Sequence, residues 1–523
     1  MTRREFIWSV VRAGGSAAAA LSALDLREPS PPSSLPDRRG DGGGQHILVL
    51  GGGLAGLSAA YELRKLGYSC TILEARTRPG GRCWSVRGGD TTSEIDGPTQ
   101  TAAFDSGHYL NAGAARIPHH HSLTMDYCEE LGVELEMFAN DNEAAYYYVE
   151  GEGTLADEPV RARTIETDLY GYTSELLAKC VHEDKLDTPL SGKDEERLLS
   201  YLRERGALSD DFSYEGSSRR GYESPPSPAS DAELADPFTL ESIIKSGFGD
   251  QYSDAYGFHQ QPTMFEPVGG MDRIPHAFAE ELKRELEYGA KIDGVFKKPN
   301  GGVRVSYVDA RNCPQQVEGD YCVCTIPLPV LSSTENNMSA EMTEAIDAVD
   351  FARTGKIGLQ FSRRFWEEDD HIYGGVSRTS MDITQIWYPN YDFFADKGVL
   401  VGYYNFGDTA EKVGGLGAAD REELALKQGS KIHPQYREEF ENSFSIAWHK
   451  TQYQEGGWAN YDEETRGKYY SRLTEPDGPI YLAGDQISNH PGWMNAAFKS
   501  AHYAVRRIHD RAAASPPTSS SGG

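Results

Sequence analysis

The feature that most constrains this chain is a glycine-rich turn between an apolar strand and a helix. In LVLGGGLAGLSAAYELRKLGYSCTILEA the spacing Gly51-x-Gly53-x-x-Gly56 follows His46-Ile47-Leu48-Val49-Leu50, and a helical pattern from Leu54 to Leu66 comes next. A second strand, Ser69 to Glu74, closes a β-α-β unit. Gly51 permits the tight turn, Gly53 lets backbone approach a pyrophosphate, and Gly56 allows close helix–sheet packing. The unpaired N–H groups at the helix start then face the diphosphate. Glu74 stands 23 residues after Gly51, where a carboxylate can accept both ribose hydroxyls of an adenosine and repel a 2′-phosphate. The unit therefore binds a dinucleotide other than NADP.

At 523 residues the chain exceeds one ordinary domain, and its formal net charge of −29 excludes binding nucleic acid through the bulk field. An anionic substrate would need a local basic device. The cysteines, seven in number, form no paired CxxC units; Cys322 and Cys324 in YCVCTIP read as core residues of a strand. The N-terminus, with Arg3-Arg4 before an Ala-rich apolar stretch from Ala13 to Leu24, resembles a twin-arginine export signal. The Pro/Ser/Gly-rich stretch 27–44 reads as a linker, and 513–523 as a disordered tail. No other run is long and apolar enough for a membrane span. Residues 122–206 carry helical periodicity, whereas 208–236 are polar and Pro/Ser-rich. They read as a disordered insert or an ordered loop over a binding cleft, the loop favoured by Tyr214 and Tyr222. Strand patterns return after residue 286 and again at Pro479–Gly484, ahead of a final helix. The expected fold class is α/β with a discontinuous Rossmann-like nucleotide domain (45–118, 267–355 and 455–512), a mainly helical domain (119–266) and a mixed-sheet substrate domain (356–454).

After Glu74 comes Ala75-Arg76-Thr77-Arg78-Pro79-Gly80-Gly81-Arg82. This resembles the flavin amine oxidase superfamily, whose first β-α-β unit is followed by a Gly-Gly-Arg turn. The resemblance implies FAD as cofactor, with Arg82 helping to hold it. It places Ala55 and Ala75 among the nucleotide contacts, and Ile292 as a backbone contact after Pro267-Val268-Gly269-Gly270-Met271. Ala483-Gly484-Asp485 is similar to the family's Ala-Gly-Glu, with an acid one methylene shorter, so Asp485 takes the place of the glutamate near the ribityl and diphosphate. Gly492-Trp493-Met494-Asn495 resembles the stretch under the flavin ring, which makes Trp493 and Met494 cofactor contacts.

From about 45 to 510 the chain resembles the L-amino acid oxidase branch. Asn111-Ala112-Gly113-Ala114-Ala115-Arg116-Ile117-Pro118 is similar to the segment running beside the flavin, with Gly113, Ala114, Ala115 and Arg116 as contacts. Arg116 matches the arginine that grips the substrate carboxylate, a task its planar guanidinium suits. This is the local basic device an acidic chain needs. Lys356, in Thr354-Gly355-Lys356-Ile357, matches the lysine that holds a water near flavin N5. Tyr403 takes the place of the tyrosine that assists carboxylate binding; on a strand only one of Tyr403 and Tyr404 can face the substrate. Trp493 and Trp448 would wall the substrate site.

The implied activity is oxidation of an L-α-amino acid to a 2-oxo acid, with ammonia and hydrogen peroxide released. Small-molecule amino acid, oxygen and the twin-arginine export machinery are the implied partners, with a second copy of the chain in a homodimer among them, and the enzyme is expected outside the cytoplasm, secreted or periplasmic. Alternatives are a tryptophan 2-monooxygenase-like enzyme, an amine or polyamine oxidase, and a non-catalytic flavin-binding protein. His259, in Gly257-Phe258-His259-Gln260-Gln261, falls near a polar residue at the branch's substrate entrance. His119-His120-His121 is not expected to bind metal, because adjacent histidines in regular structure cannot all point at one ion and no acid or Cys stands at helical spacing.

Overall fold

The computed structural model describes residues 44–514 apart from 96, 184, 188–189 and 250–256. The stretch read as an export signal and linker, up to residue 43, lies outside the described residues, as do 515–523 of the tail. The chain folds into two compact units. One contains the residues up to 81, 278–349 and those from 461 onward. The other contains 82–277 and 350–460. Residues 82–118, 267–277, 350–355 and 455–460, which the sequence reading gives to the nucleotide domain, thus belong to the second unit. No helix among the described residues is long and apolar enough to cross a membrane.

The first unit is built on a five-stranded sheet in the order Leu286–Tyr288, Ser69–Glu74, His46–Leu50, Tyr321–Cys324, Ile480–Leu482. Every neighbouring pair is parallel. Ile47, Leu48, Val49 and Leu50 have no exposed surface, which explains their unbroken apolar run: a central parallel strand is covered on both faces. Cys322 and Cys324 lie in the neighbouring strand, fully buried, and burial holds both thiols in the neutral form, that of Cys324 pushed up to about 12. Helix Leu54–Lys65 packs against the final helix, Met494–Ala514. A four-stranded sheet, Pro314–Gly319, Val303–Val308, Lys291–Lys297 and Glu335–Asn336, completes this unit.

The second unit is organised by a seven-stranded sheet. Its first four strands are Phe440–Ala447, Thr354–Phe361, Gly398–Phe406 and Gln385–Trp387. Every residue of Thr354–Phe361 is buried. One face is a dense core that includes Ile357, Leu359, Phe361, Trp366, Tyr403 and Tyr436. The other face carries Lys356, opposite Tyr404 in the antiparallel ladder. Helices Ala162–His182 and Gly192–Gly206 pack together in the stretch expected to be helical. Strands Leu135–Ala139 and Thr263–Pro267 pair antiparallel around them in sequence.

The polar stretch 208–236 is two different things. Its first part is anchored: Tyr214 and Arg220 are buried, and both reach Asp168 of helix Ala162–His182. Its second part, from Tyr222 to Leu234, is an exposed hairpin of two short strands. Tyr214 therefore marks an ordered loop, whereas Tyr222 is exposed and marks nothing of the kind.

Candidate functional site

The nucleotide cradle sits in the first unit. Gly51 has φ +104°, a conformation open to glycine, and its N–H donates to Leu73 O at 2.9 Å. A Cβ at Gly56 would lie 2.0 Å from Gly51 O, so the helix can approach the turn only as glycine, while Gly53 has open space on that side. The residue between the motif glycines ties the turn to the acid: Gly52 N–H donates to Glu74 Oε2 at 2.6 Å. Glu74 Oε1 accepts from Arg76 N–H at 2.8 Å. Two backbone donors hold the carboxylate in one orientation at the strand end, with lone pairs left for two ribose hydroxyls. Ala55 is in the first turn of the helix, and Ala75 lies between Glu74 and Arg76. The N–H of Ala290 donates to Glu74 O at 2.9 Å, which brings the start of Lys291–Lys297, and Ile292 with it, to the acid's strand end.

Asp485 follows the strand Ile480–Leu482, and its Oδ2 accepts from Gly492 N–H at 2.8 Å. That bond closes the loop leading to Trp493 and the buried Met494 at the start of the last helix. These groups fit a dinucleotide: an open glycine turn, a helix N-terminus and a fixed carboxylate that would take the ribose hydroxyls, all in one unit. Glu74→Gln is expected to lower FAD affinity by roughly tenfold or more, since each charge-assisted bond contributes about 1.5–3 kcal/mol. Flavin fluorescence during reconstitution of apoprotein measures it; an unchanged titration curve would remove Glu74 from the cofactor site.

The second unit holds the other half of the expected site residues. The segment 111–116 is fastened by its carbonyls. Lys356 Nζ donates to Asn111 O at 3.1 Å and to Gly113 O at 2.7 Å. The intervening carbonyl, Ala112 O, accepts from Trp448 Nε1 at 3.0 Å. A Cβ at Gly113 would come 1.7 Å from Arg82 O, so the segment passes Arg82 at a distance only glycine allows. Arg82 Nη1 donates to Gly457 O. Ala114 and Ala115 continue the segment to Arg116.

Arg116 lies over Trp387, its guanidinium carbon 4.4 Å from the ring centroid. Lys356 Nζ lies 5.0 Å from the same centroid and 4.5 Å from that of Tyr404. Tyr404 packs edge-on to Trp387 at 5.3 Å. Arg116 Nη2 donates to Gln260 Oε1 at 2.9 Å. Among the described residues no carboxylate forms an ion pair with Arg116 or Lys356. Asp141, which acts on Arg116 from farther off, is bridged to Arg378 at 3.8 Å. Burial lowers the Arg116 guanidinium to about 10. Burial, with help from the Arg116 charge, lowers the Lys356 ammonium to about 7. Two cationic groups thus share one aromatic surface with no ion-paired carboxylate among the described residues, an arrangement that an entering anion stabilises.

The structure corrects two of the expected substrate contacts. Tyr403 is not on this face. It lies opposite Ile357 in the ladder, is 1 % exposed, and bonds Ser445 within the core. Tyr404, opposite Lys356, is on that residue's face, because directly opposed residues of an antiparallel pair share a face. Trp448 is not an open wall either. It is 3 % exposed, packed in a core with Trp84, Phe444 and Ile446, and its indole supports the 111–113 carbonyls from behind. Tyr404 is the strand alternative to Tyr403 that the sequence names; the indole on the cationic groups is Trp387, which with Gln260 has no role legible in the sequence. The pairing of Trp387 with Val401 on the Tyr404 strand is the signal that finds it, and it exists only once strand register is known.

Lys356 also sets a pH test. Its folded value, about 7, lies below that of a solvated lysine, so the ammonium that attracts a carboxylate is present below about 7 and lost above it. Binding of a carboxylate without an amine, such as benzoate, should weaken as pH rises through about 7, and Lys356→Met should flatten that limb. Flavin-perturbation titrations across pH measure it; a limb that survives in the variant assigns the titration elsewhere.

Known proteins are similar to this chain over most of its length. The family model for flavin containing amine oxidoreductase matches residues 54–509. L-amino acid oxidase Bs29 of Bothriechis schlegelii is 26% identical, covering 90% of this chain and 91% of its own. L-amino acid oxidase Cdc18 of Crotalus durissus cumanensis is 27% identical, with 90% and 91% covered. Among solved structures, cyclohexylamine oxidase from Brevibacterium oxydans IH-35A superposes with a TM-score of 0.60 at 16% identity, covering 90% of this chain and 99% of that one. A triple mutant of putrescine oxidase does so with a TM-score of 0.59 at 17% identity, covering 89% and 99%. These two share the fold. With the family model matched over most of its length, this chain belongs to the flavin-containing amine oxidoreductases and is an FAD-dependent oxidoreductase.

Proposed function

We propose that the enzyme oxidises L-α-amino acids to 2-oxo acids, releasing ammonia and hydrogen peroxide. The observation that carries this reading is the pair Arg116 and Lys356, buried on Trp387 without a carboxylate partner among the described residues. A substrate carboxylate supplies the missing charge. Arg116 would take it as a bidentate pair, with the Tyr404 hydroxyl as a further donor. Trp387 keeps water from both cationic groups, and Gln260 holds Arg116 in place from the other side. The flavin supplies the hydride acceptor and the means of reoxidation by oxygen. The chain's own task is to hold a neutral α-amine and its Cα in a fixed position by gripping the acid end. Relatives named as L-amino acid oxidases over nine-tenths of the chain support the same class. The Arg3-Arg4 run and the apolar stretch after it support export by the twin-arginine route, which fractionation of a tagged full-length chain with and without Arg3-Arg4→Lys-Lys tests.

FAD-loaded protein mixed anaerobically with each of the twenty L-amino acids should bleach with at least one of them, and aerobic turnover should yield equal peroxide and ammonia. Bleaching by simple amines alone would overturn the carboxylate reading in favour of an amine oxidase. An amide product would favour a monooxygenase.

A further inference from the structure

His120 and His121 lie in the turn ahead of helix Ser122–Glu130, where backbone is irregular and neighbouring side chains can converge. Regular structure would hold adjacent imidazoles apart, but this turn is irregular, and a third histidine arrives from elsewhere in the chain. Ile117 and Phe265 exchange backbone hydrogen bonds of 2.7 and 2.9 Å in an antiparallel bridge. The chain running on from Ile117 therefore passes the chain arriving from His259. Nε2 of His120 lies 2.9 Å from Nδ1 of His259, and Nε2 of His121 lies 3.0 Å from the same atom. One nitrogen of each ring falls within 4.8 Å of the others. His121 is 3 % exposed, and the rings of His120 and His259 stack at 5.0 Å.

This geometry is poor as hydrogen bonding alone. A neutral imidazole nitrogen offers either one proton or one in-plane lone pair, so Nδ1 of His259 cannot make two full bonds to two ring nitrogens. Protonating the rings to supply more donors would press like charges together. One cation of borderline softness satisfies three lone pairs at once. In a tetrahedral site ligand nitrogens stand roughly 3.3 Å apart, a few tenths of an ångström wider than the two contacts to Nδ1 of His259 and inside the 4.8 Å that bounds the set. An outer partner is also in place. The Gln261 amide bonds Nδ1 of His120 at 3.0 Å and Nδ1 of His119 at 2.6 Å. Turned over, its oxygen would accept the Nδ1 proton of His120, as metal-bound imidazoles require.

We propose that His120, His121 and His259 form a transition-metal site of the zinc class, with a fourth position for water. The loop 257–261 carries both His259 and Gln260, the residue bonded to Arg116. A metal there clamps that loop to the turn 118–121 and steadies the guanidinium. The clamp's effect on substrate rests on Arg116 as carboxylate anchor; the metal site itself does not.

Untagged, FAD-loaded enzyme is stripped with EDTA, freed of chelator, mixed with an equivalent of zinc and passed through gel filtration. Elemental analysis should find about one zinc per chain in wild type and in His119→Ala, and a loss of most of it in His259→Ala and His120→Ala. An unchanged bound-flavin spectrum shows that each variant is folded. Cobalt in place of zinc should give visible bands beyond the flavin envelope in wild type and none in His259→Ala. No retained zinc in wild type, or full retention in His259→Ala, overturns the site. Stripping should raise KM for the amino acid several-fold with kcat little changed; an unmoved KM with zinc bound overturns the clamp. If no amino acid is oxidised, the functional reading falls while elemental analysis still decides the site.

Discussion

Arg116→Met should lower kcat/KM for the best L-amino acid by roughly a hundred- to a thousandfold, because removing one partner of an enclosed charge-assisted pair costs about 2–5 kcal/mol. The guanidinium lies on Trp387 and is tied to Gln260, so methionine keeps most of the packing and deletes the charge. The informative comparison is the amine left when that amino acid loses its carboxyl group. It should be a poor substrate of wild type and should lose little further in the variant, since it has no group for Arg116 to hold. Steady-state peroxide assays with both substrates read the difference. An equal fall with the amine and the amino acid would mean that Arg116 shapes the site without gripping an acid. Lys356 remains beside Trp387 in the variant, so some affinity for carboxylates should persist.

Asp168→Ala should destabilise the second unit by about 3–5 kcal/mol, the usual cost of stripping one partner from a buried ion pair. Asp168 has no exposed surface, and Arg220, 7 % exposed, places Nε 3.1 and 3.3 Å from its two oxygens. The same carboxylate accepts from the Tyr214 hydroxyl at 2.7 Å and from Phe238 N–H at 2.9 Å. Alanine would leave a buried guanidinium, a phenol and an amide without their common acceptor. Arg220→Met added to Asp168→Leu should recover much of the loss, because a matched apolar pair leaves no stranded charge. Chemical denaturation followed by near-ultraviolet circular dichroism would show it, and limited proteolysis should cut 214–238 earlier in the single variant. An Asp168→Ala enzyme as stable as wild type would mean that water replaces the carboxylate at no cost.

The nucleotide half was legible because its chemistry is written in neighbours. A turn, a helix start and an acid at the next strand end are fixed by local backbone geometry, and Gly51, Gly56 and Glu74 stand where spacing puts them. The substrate half is assembled across a sheet, where information lies in register. Tyr403 and Tyr404 differ by one position and face opposite sides, and a register shift between Ile357 and Gly358 hides the alternation from any count along the chain. Trp448 and Trp387 are both buried indoles; only the fold says that one backs the segment and the other meets the cationic groups. His259 joins His121 from 138 positions away, through a bridge no periodicity announces.

The carbonyls of Asn111, Ala112 and Gly113 are each taken by a side chain from elsewhere, and a Cβ at Gly113 has no room. Bonds to main-chain carbonyls outlast a change of side chain at Asn111 or Ala112, so the backbone path of the stretch is held while Gly113 alone is closed to substitution. In laboratory evolution of side-chain preference, the 257–261 loop, with Gly113 and Arg116 held constant, is the place to diversify.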